Sequence, residues 1–322
     1  MKKSQPVVSI ITPCFNGEKV VHRMIESVLA QTYDNIEYIL VNDGSTDRTE
    51  EVVLSYQEKF ERRGYEFHYI KQENKGLGGA INAGLKVFKG DYLCWADADD
   101  FFVPSSVEKR VLWMETHPDY GVITSDAYIV KETDLLNPYR KVSQTVTDNI
   151  NEHQFWNLLE SNSIFCCACH MIRSECFLKI NPSREIYPAR RGQNWQMLLP
   201  MYYHYKRYFL DEPLFYYVES DNSMSHDDTA NNRLLRCDEH EDILEHVIQR
   251  IAMNKEDQQK ANSLIKVNYC RKRLYIAYKA GLADAADLQF KKLKAEGKLT
   301  FRDRLYRYGA KNQWVKKLIK RG

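Results

Sequence analysis

The chain has 322 residues, of which 43% are hydrophobic and 28% are charged, and its formal net charge is +2. This length allows one large α/β domain with an appendage, or two domains, and either arrangement can bury a full core. The composition is typical of a soluble globular enzyme, and no run approaches the roughly 18 apolar residues of a membrane span. A mini-protein and a membrane-spanning protein are therefore excluded.

The amino-terminal apolar stretch and the cysteines both bear on the compartment. Polar and turn residues interrupt the stretch that begins at Val7 too early for a signal peptide. The eight cysteines lie mostly in apolar runs, which is typical of free buried thiols in a reducing compartment. We therefore expect a cytoplasmic protein.

One cysteine cluster has the spacing of metal ligands. Cys166 and Cys169 form the CxxC pair, with Cys167 between them and His170 beside them. No second such pair completes a zinc site, and apolar residues flank the cluster. We therefore predict that 163–173 is one buried strand and that the cluster is part of the core.

Hydrophobic periodicity predicts strands that alternate with helices over about the first 100 residues. The predicted strands cover residues 7–12, 36–42, 67–71 and 92–96. Alternation of this kind predicts an α/β fold with a mostly parallel sheet covered on both faces. Functional residues are then expected where the strands end.

Carboxylates follow the fourth predicted strand. Asp97 and Asp99 are alternate residues, so they can face the same way at the carboxyl end of a sheet, where ligands bind. Oxygen ligands suit Mg²⁺ or Mn²⁺, which leave positions open for nucleotide phosphates. An acidic turn that caps the next helix, using Asp100 and Ser105, explains the same residues. The GxGxxG fingerprint and the Walker loop are absent, so NAD and P-loop chemistry have no support.

Four motifs in order carry a resemblance to the family 2 glycosyltransferases of the GT-A fold, over about residues 7–225. They are Ser9-Ile-Ile-Thr-Pro-Cys-Phe-Asn16, Val41-Asn-Asp-Gly-Ser-Thr-Asp47, Asn74-Lys-Gly76 with Asn82-Ala-Gly84, and Asp97-Ala-Asp-Asp100. The resemblance implies a nucleotide pocket bordered by Pro13 and Asn16, with Asp43 reading uracil. It also implies donor contacts from Asn74, Lys75, Gly76, Asp97 and Ala98, and a metal on Asp99.

The resemblance implies a metal-dependent, inverting transfer of a hexose or N-acetylhexosamine in glycan or polysaccharide biosynthesis. The donor is a UDP-sugar, the cofactor Mn²⁺ or Mg²⁺, and the acceptor a glycan or a lipid-linked glycan. The transition state has carbocation character at the anomeric carbon. Asp97 and Asp99 are then the catalytic carboxylates. The alternative is a non-catalytic sugar-nucleotide-binding subunit of a glycosyltransferase complex.

One departure from the family concerns the general base. The family's acceptor-side helix supplies a carboxylate, whereas this chain has Gln193, Asn194 and Trp195 there, and an amide cannot take a proton near neutral pH. Alternative bases are Asp126, which directly follows a predicted strand over 121–125, and Asp221, and an acceptor that is already anionic would need none. The resemblance also allows a histidine after the last strand to touch the metal or the diphosphate. His226 is that residue, with a solvated loop histidine as the equal alternative.

Residues 231–322 show helical periodicity and no strand signal, so we predict two domains, 1–230 and 231–322. The segment from Lys291 to Arg321 carries twelve Lys or Arg and two acidic residues, a charge of about +10. Aromatic and aliphatic residues are interleaved with these charges, which favours peripheral docking on the anionic inner face of a membrane. The alternative is packing of the tail on the preceding acidic helices. We assign no nucleic-acid partner, because the strand-end motifs give no reason for one.

Overall fold

The computed structural model describes residues 5–220 and 229–312. Internal contacts divide the chain into two compact units, Met1–Ser220 and Asp221–Gly322. In the portions of the chain given above, we find no helix of the length and apolarity that crossing a bilayer requires.

The first unit alternates strands with helices through most of its length. Its strands are β1 (Val8–Cys14), β2 (Ile36–Asp43), β3 (Glu66–Gln72), β4 (Tyr92–Trp95), β5 (Phe101–Phe102), β6 (Tyr120–Lys131), β7 (Arg140–Lys141), β8 (His170–Arg173) and β9 (Lys206–Glu219). Its helices are α1 (Val21–Leu29), α2 (Thr49–Leu54), α3 (Gln57–Arg63), α4 (Gly76–Val87), α5 (Ser106–Thr116), α6 (Phe155–Leu159), α7 (Ser174–Ile180) and α8 (Gln193–His204).

The described strands form one sheet in the order β3-β2-β1-β4-β8-β6-β9-β5, with β7 beside β6. Strands β1 to β4 are parallel, and β1, β2 and β4 are buried along their whole length. Helices cover both faces of such a sheet, which is why these strands are nearly continuous apolar runs in the sequence. The predicted α/β class is confirmed.

The second half of the sheet is mixed. Strand β8 runs antiparallel to both β4 and β6, whereas β9 runs parallel to β6. The β6–β9 register shifts at Asp126, which marks a bulge in the ladder. Strand β6 continues to Lys131, so Asp126 lies inside this strand and not just after it, as the sequence had suggested.

The prediction of one buried strand over 163–173 is wrong. Only His170–Arg173 is a strand, and Cys167–Cys169 form a 3₁₀ turn before it. Ile164 is buried but Phe165 is 38% exposed, so the segment leaves the core and returns to it at Cys167. An apolar run cannot by itself distinguish a strand from a buried turn, because both exclude polar residues.

The second unit is helical in its described part. It contains α9 (Ala230–Arg250), α10 (Lys255–Ala280), α11 (Ala283–Ala295) and α12 (Phe301–Lys311). Helix α10 is central and packs against the other three. One buried cluster of this unit contains Val267, Cys270, Leu274, Ala277, Tyr278, Ala286, Leu293 and Ala310.

Candidate active site

Asn16 joins the loops that follow β1 and β2. Its φ is 51°, its backbone N–H donates to Ser45 Oγ (2.9 Å), and its side-chain Oδ1 accepts from the Thr46 N–H (2.8 Å). Asparagine tolerates this left-handed conformation better than most residues. Pro13 is buried in β1 opposite Val41, and as a proline it has no backbone N–H to donate. Asn16 therefore fixes the two loops that the sequence assigned to the nucleotide.

Asp43 ends β2 and is only 4% exposed. Its Oδ1 accepts hydrogen bonds from Gln72 Nε2 (2.6 Å) and from the Lys75 N–H (2.9 Å). Its Oδ2 has no hydrogen-bond partner among the described residues. The next residue, Gly44, has φ +77°, and a Cβ there would lie 2.7 Å from Asn74 N, so glycine is required for this turn. The carboxylate is thus held rigidly by one oxygen and can accept a ligand N–H with the other.

The loop before α4 is closely packed. Asn74 Oδ1 accepts from the Gly76 N–H (3.2 Å), and the Gly78 N–H donates to Ala189 O (2.9 Å). A Cβ on Gly78 would lie 2.9 Å from Ala189 N and O, so only glycine lets the two segments meet. Arg190 follows in that segment, and its Cα would be 3.2 Å from a Cβ on Gly76. The structure therefore adds an exposed cation beside the predicted donor loop.

Lys75, which the sequence assigns to the donor, contributes its backbone N–H to Asp43, as described. Sequence reasoning did not single out Arg190, because it lies in an irregular stretch with no period and no motif. Only the close approach of that segment to α4 reveals its position.

Asp97 and Asp99 follow β4 in different environments. Asp97 is partly buried, and burial, together with the charge of Asp99, raises its pKa to about 6, although a hydrogen bond from the Cys167 thiol opposes the rise. Asp99 has an exposed side chain, and the surrounding protein raises its pKa as well. Ala98 between them is partly exposed. The pair therefore presents one exposed and one half-buried carboxylate.

Asp100 has a structural role. It is 1% exposed, and its Oδ1 accepts from the Val218 N–H of β9 (2.8 Å). Burial and the charges of Asp99 and Asp97 raise its pKa well above the ordinary value. Asp100 therefore ties the carboxylate turn to the sheet and does not point into solvent.

Arg23 of α1 reaches the same turn. Its Nη2 donates to the backbone oxygen of Asp99 (3.0 Å) and lies 3.7 Å from Glu132 Oε1. The charges of Arg23 and Glu132 act in opposite directions on the pKa of Asp99. Neither residue is part of a sequence motif, because Arg23 is an ordinary charged residue in the first turn of α1 and Glu132 directly follows β6.

The three acceptor-side residues lie at the start of α8, after Gly192. Asn194 Oδ1 accepts from Trp95 Nε1 (2.8 Å), and Asn194 Nδ2 donates to Phe165 O (2.7 Å). Trp195 packs on Phe165 with ring centroids 5.0 Å apart, and Gln193 is 6% exposed. Asn194 therefore connects the end of β4 to the loop before β8, using both halves of its amide.

Of the two candidate bases, the structure describes only Asp126. Asp126 is fully buried, and its oxygens accept from the N–H groups of Ala127 (2.8 Å) and Ser143 (3.0 Å) and from Ser143 Oγ (2.6 Å). A carboxylate satisfied in this way cannot reach an acceptor hydroxyl, so the structure argues against Asp126. Asp221 and His226 lie outside the described residues.

A group of three possible metal ligands among the described residues lies elsewhere, formed by Glu37, Glu66 and His68. It is at the beginning of β2 and β3, the opposite end of the strands from Asp43. Glu37 Oε2 accepts from Ser9 Oγ and from the Lys89 N–H (2.9 Å), and Lys89 Nζ lies 2.8 Å from Glu66 Oε1. These contacts give the group a structural explanation, and it does not coincide with Asp97 and Asp99.

Comparisons with known proteins concern the fold and the family. Two solved structures have the same fold. Staphylococcus aureus TarS 1-349 in complex with UDP-GlcNAc has a TM-score of 0.65 at 15% identity, covering 94% of this chain and 90% of that one. The mannosyltransferase PcManGT from Pyrobaculum calidifontis, in complex with GDP-Man and Mn²⁺, has a TM-score of 0.55 at 16% identity, covering 96% and 85%. The fold is thus that of the GT-A glycosyltransferases.

The family profile described as "Glycosyl transferase family 2" matches residues 9–180, more than half of the chain. The chain belongs to this family. It is 30% identical to the uncharacterized glycosyltransferase EpsJ of Bacillus subtilis over 68% of this chain and 63% of EpsJ. It is 45% identical to an uncharacterized glycosyltransferase of Rickettsia typhi over 106 residues, 33% of this chain and 31% of that protein. The chain thus spans less than two thirds of either relative.

Proposed function

We propose that the protein transfers a sugar from a UDP-sugar to a hydroxyl of a glycan or lipid-linked glycan, with inversion and with a divalent cation held at Asp99. One observation carries this proposal: Asp43 and the Asp97–Asp99 turn end strands β2 and β4, which flank β1. Neighbouring strands are about 4.8 Å apart, so the two sites are separated by about 10 Å. The nucleoside diphosphate part of the donor can bridge this distance, with its base at Asp43 and its diphosphate at the carboxylates of Asp97 and Asp99.

The residues fit the cation. Asp99 offers an exposed carboxylate, and Asp97 lies two residues before it with a pKa of about 6, so Asp97 is mostly ionised at neutral pH. Hard divalent cations prefer such oxygen ligands and leave positions for phosphate oxygens. The cation, when bound, neutralises the charge that develops on the departing diphosphate. Asp97 and Ala98 would contact the ribose side, and Arg23 would hold the turn through the Asp99 carbonyl.

Asp43 would read the base. Its free Oδ2 can accept the N3–H of uracil, while Gln72 and the Lys75 N–H hold Oδ1. Guanine also presents N–H donors, so this contact alone does not select uridine. We choose a UDP-sugar because the structural relative TarS is complexed with UDP-GlcNAc.

Calorimetric titration with UDP and GDP, with and without Mn²⁺, tests the donor. We expect UDP to bind more tightly than GDP and Mn²⁺ to strengthen the binding. Tighter binding of GDP would overturn the donor assignment. A screen of UDP-sugars for transfer or hydrolysis then separates an enzyme from a non-catalytic subunit, since a subunit would bind UDP without turnover.

The Asn194→Ala variant should reduce transfer by less than about a hundredfold, because a positioned base contributes 10²–10⁴ and Asn194 is not one. It should also lower the free energy of unfolding by about 1–3 kcal/mol, because the buried Trp95 Nε1–H loses its acceptor. Steady-state kinetics and thermal unfolding measure the two effects.

Asn194→Asp is the matched control. It keeps an acceptor for Trp95 but replaces the donor to Phe165 O with a carboxylate oxygen, so we expect a fold that is less stable and transfer that is no faster. A gain of transfer in Asn194→Asp would instead show that this position can act as the base.

We also propose that residues 231–322 form a helical domain separate from a catalytic domain of residues 1–230, and that its basic end docks on anionic lipid. Within the described part, Phe301 and Tyr308 of α12 are 76% and 62% exposed and lie two turns apart on one face. Arg302 and Arg304 are exposed on the same helix, whereas Arg307 is paired with Asp287. An exposed aromatic face beside cations favours an anionic interface.

Vesicle co-sedimentation tests this docking. The full chain should bind vesicles containing phosphatidylserine in a salt-sensitive manner, since each basic residue near the surface contributes about 1 kcal/mol before screening. The double variant Phe301→Ser, Tyr308→Ser should bind less. Leu288→Ser, at an exposed residue of α11, is the matched control and should bind like the wild type. Binding that is indifferent to salt would refute the proposal.

A further inference from the structure

A cavity of about 220 Å³ lies between helices α9 and α10 of the second unit. Its wall residues are spaced three or four positions apart along each helix. They include Arg233, Arg236 and His240 of α9 and Tyr269, Lys272 and Tyr275 of α10. Residues with this spacing share one face of a helix, so each helix turns one stripe towards the cavity. Cationic and aromatic side chains dominate both stripes.

Two acidic residues of α9 are engaged by an arginine outside the cavity wall. Asp238 and Glu241 bind Arg273 of α10 at 2.6 and 2.5 Å, and none of these three residues belongs to the wall. Neither Arg233 nor Lys272 forms an ion pair with a residue that the structure describes. Arg233 and Lys272 therefore bring to the cavity positive charge that no ion pair among the described residues compensates.

Lys272 and Tyr269 lie against each other in the wall of the cavity. Lys272 Nζ lies 4.6 Å from the centroid of the Tyr269 ring, and Lys272 is exposed. The hydroxyl of Tyr269 is buried and makes no hydrogen bond within the described residues. An anion in the cavity would pair with the ammonium group of Lys272.

We propose that this cavity binds the phosphate group of a small organic phosphate. Its volume is below the roughly 300–1,000 Å³ of sites for drug-sized ligands, so it suits a sugar phosphate or a lipid headgroup. Arginine forms paired charge-assisted hydrogen bonds with phosphate oxygens, and lysine adds a point charge. The aromatic rings of Tyr269 and Tyr275 offer apolar surface to the organic part. This site shares no residue with the candidate donor site.

Calorimetric titration of the full chain with pyrophosphate tests the site. EDTA is present throughout, because the donor site needs a divalent cation to hold a diphosphate. We expect saturable binding that Arg233→Gln and Lys272→Gln each weaken by about tenfold, since each removes a charge-assisted hydrogen bond. Lys255→Gln, which removes an exposed charge from the same helix as Lys272, should bind like the wild type, and Lys272→Arg should retain most of the affinity.

Three results would overturn the proposal: no saturable binding by the wild type, equal losses in Lys255→Gln and Lys272→Gln, or displacement of pyrophosphate by UDP. The last would place the binding at the donor site. Because Arg233 and Lys272 are on different helices, misfolding of one variant leaves the other as a test. The donor assignment does not depend on any of these results.

Two further ligands distinguish the source of the phosphate. Tighter binding to vesicles containing phosphatidic acid than to glucose 1-phosphate, lost in Arg233→Gln and Lys272→Gln, would assign a lipid headgroup. The reverse order would assign a soluble sugar phosphate. Vesicle binding that survives both glutamine variants, with no binding of glucose 1-phosphate, would belong to another basic surface and would count against the site.

Discussion

Replacing Asp99 with asparagine is expected to reduce sugar transfer on the order of 10³-fold at saturating Mn²⁺ while the protein stays folded. Asparagine has no charge with which to hold the cation, whose stabilisation of the leaving diphosphate contributes several kcal/mol. The Asp99 side chain is exposed, and Arg23 contacts its backbone oxygen and not its carboxylate. The substitution should therefore leave the turn in place. Initial rates across a Mn²⁺ titration measure the loss, and thermal unfolding checks the fold.

Asp100→Asn is the matched control for that experiment. The raised pKa of Asp100 favours its protonated form, which asparagine resembles in shape and charge. An asparagine Oδ1 at this position can still accept a hydrogen bond from the Val218 N–H. Transfer should therefore fall by less than about tenfold, since the group makes no contact with the cation. Equal losses in the two variants would show that the whole turn matters and would remove the specific metal role of Asp99.

The first half of the fold was predictable because its elements have simple local signals. Continuous β-branched runs mark strands that are buried on both faces, and polar residues follow where those strands end. Parallel strands bring these ends to one edge, so Asn16, Asp43 and Asp97 fall into neighbouring loops of the structure as their spacing implied. The local pattern and the tertiary arrangement agree here, which is the condition under which sequence reasoning succeeds.

The second half of the sheet was less predictable because long-range pairing decides its structure. The sequence ended the strand at Ser125, but pairing of Asp126 with Pro213 of β9 extends β6 past a bulge. Within the strand, the carboxylate of Asp126 accepts hydrogen bonds from the N–H and Oγ of Ser143, seventeen residues away. A local sequence pattern cannot predict a hydrogen bond between residues so far apart in the chain. For this reason Asp126, a structural residue, was predicted from the sequence as a candidate base.

The role of Asn194 was also unpredictable from the sequence. The sequence identified the missing carboxylate but gave no reason for the amide. The structure supplies one, because an amide can accept from Trp95 and donate to Phe165 O at once, whereas a carboxylate can only accept. Arg23 and Arg190 were missed because a single arginine carries no pattern until the fold brings it beside a carboxylate turn or a glycine loop.

The Asp97→Asn variant should lose transfer and, without metal, be more stable than the wild type. Burial raises the pKa of Asp97 from 3.8 to about 6, so ionisation of this carboxylate opposes folding at neutral pH. A shift of this size corresponds to about 3 kcal/mol, which asparagine would recover. In EDTA at pH 8, the melting temperature should therefore rise by roughly 5–10 °C.

The stability difference between Asp97→Asn and the wild type should depend on pH. The native state binds the Asp97 proton more tightly than the unfolded state does, so wild-type stability from this group falls as pH rises from about 4 to about 6. The advantage of Asp97→Asn should accordingly be absent below about pH 4, grow across that interval and stay constant above it. Denaturant unfolding of both proteins at several pH values, in EDTA, measures the difference.

Metal and activity measurements complete the test. Mn²⁺ should stabilise the wild type and close the gap at pH 8, but it should have less effect on Asp97→Asn, because a ligand stabilises only the state that binds it. Transfer by the wild type should fall below about pH 6, where protonation of Asp97 removes a negative charge from the carboxylate pair. If Asp97→Asn were instead less stable than the wild type at pH 8 in EDTA, the buried carboxylate would be stabilising the fold, and its assignment to ligand binding would be wrong.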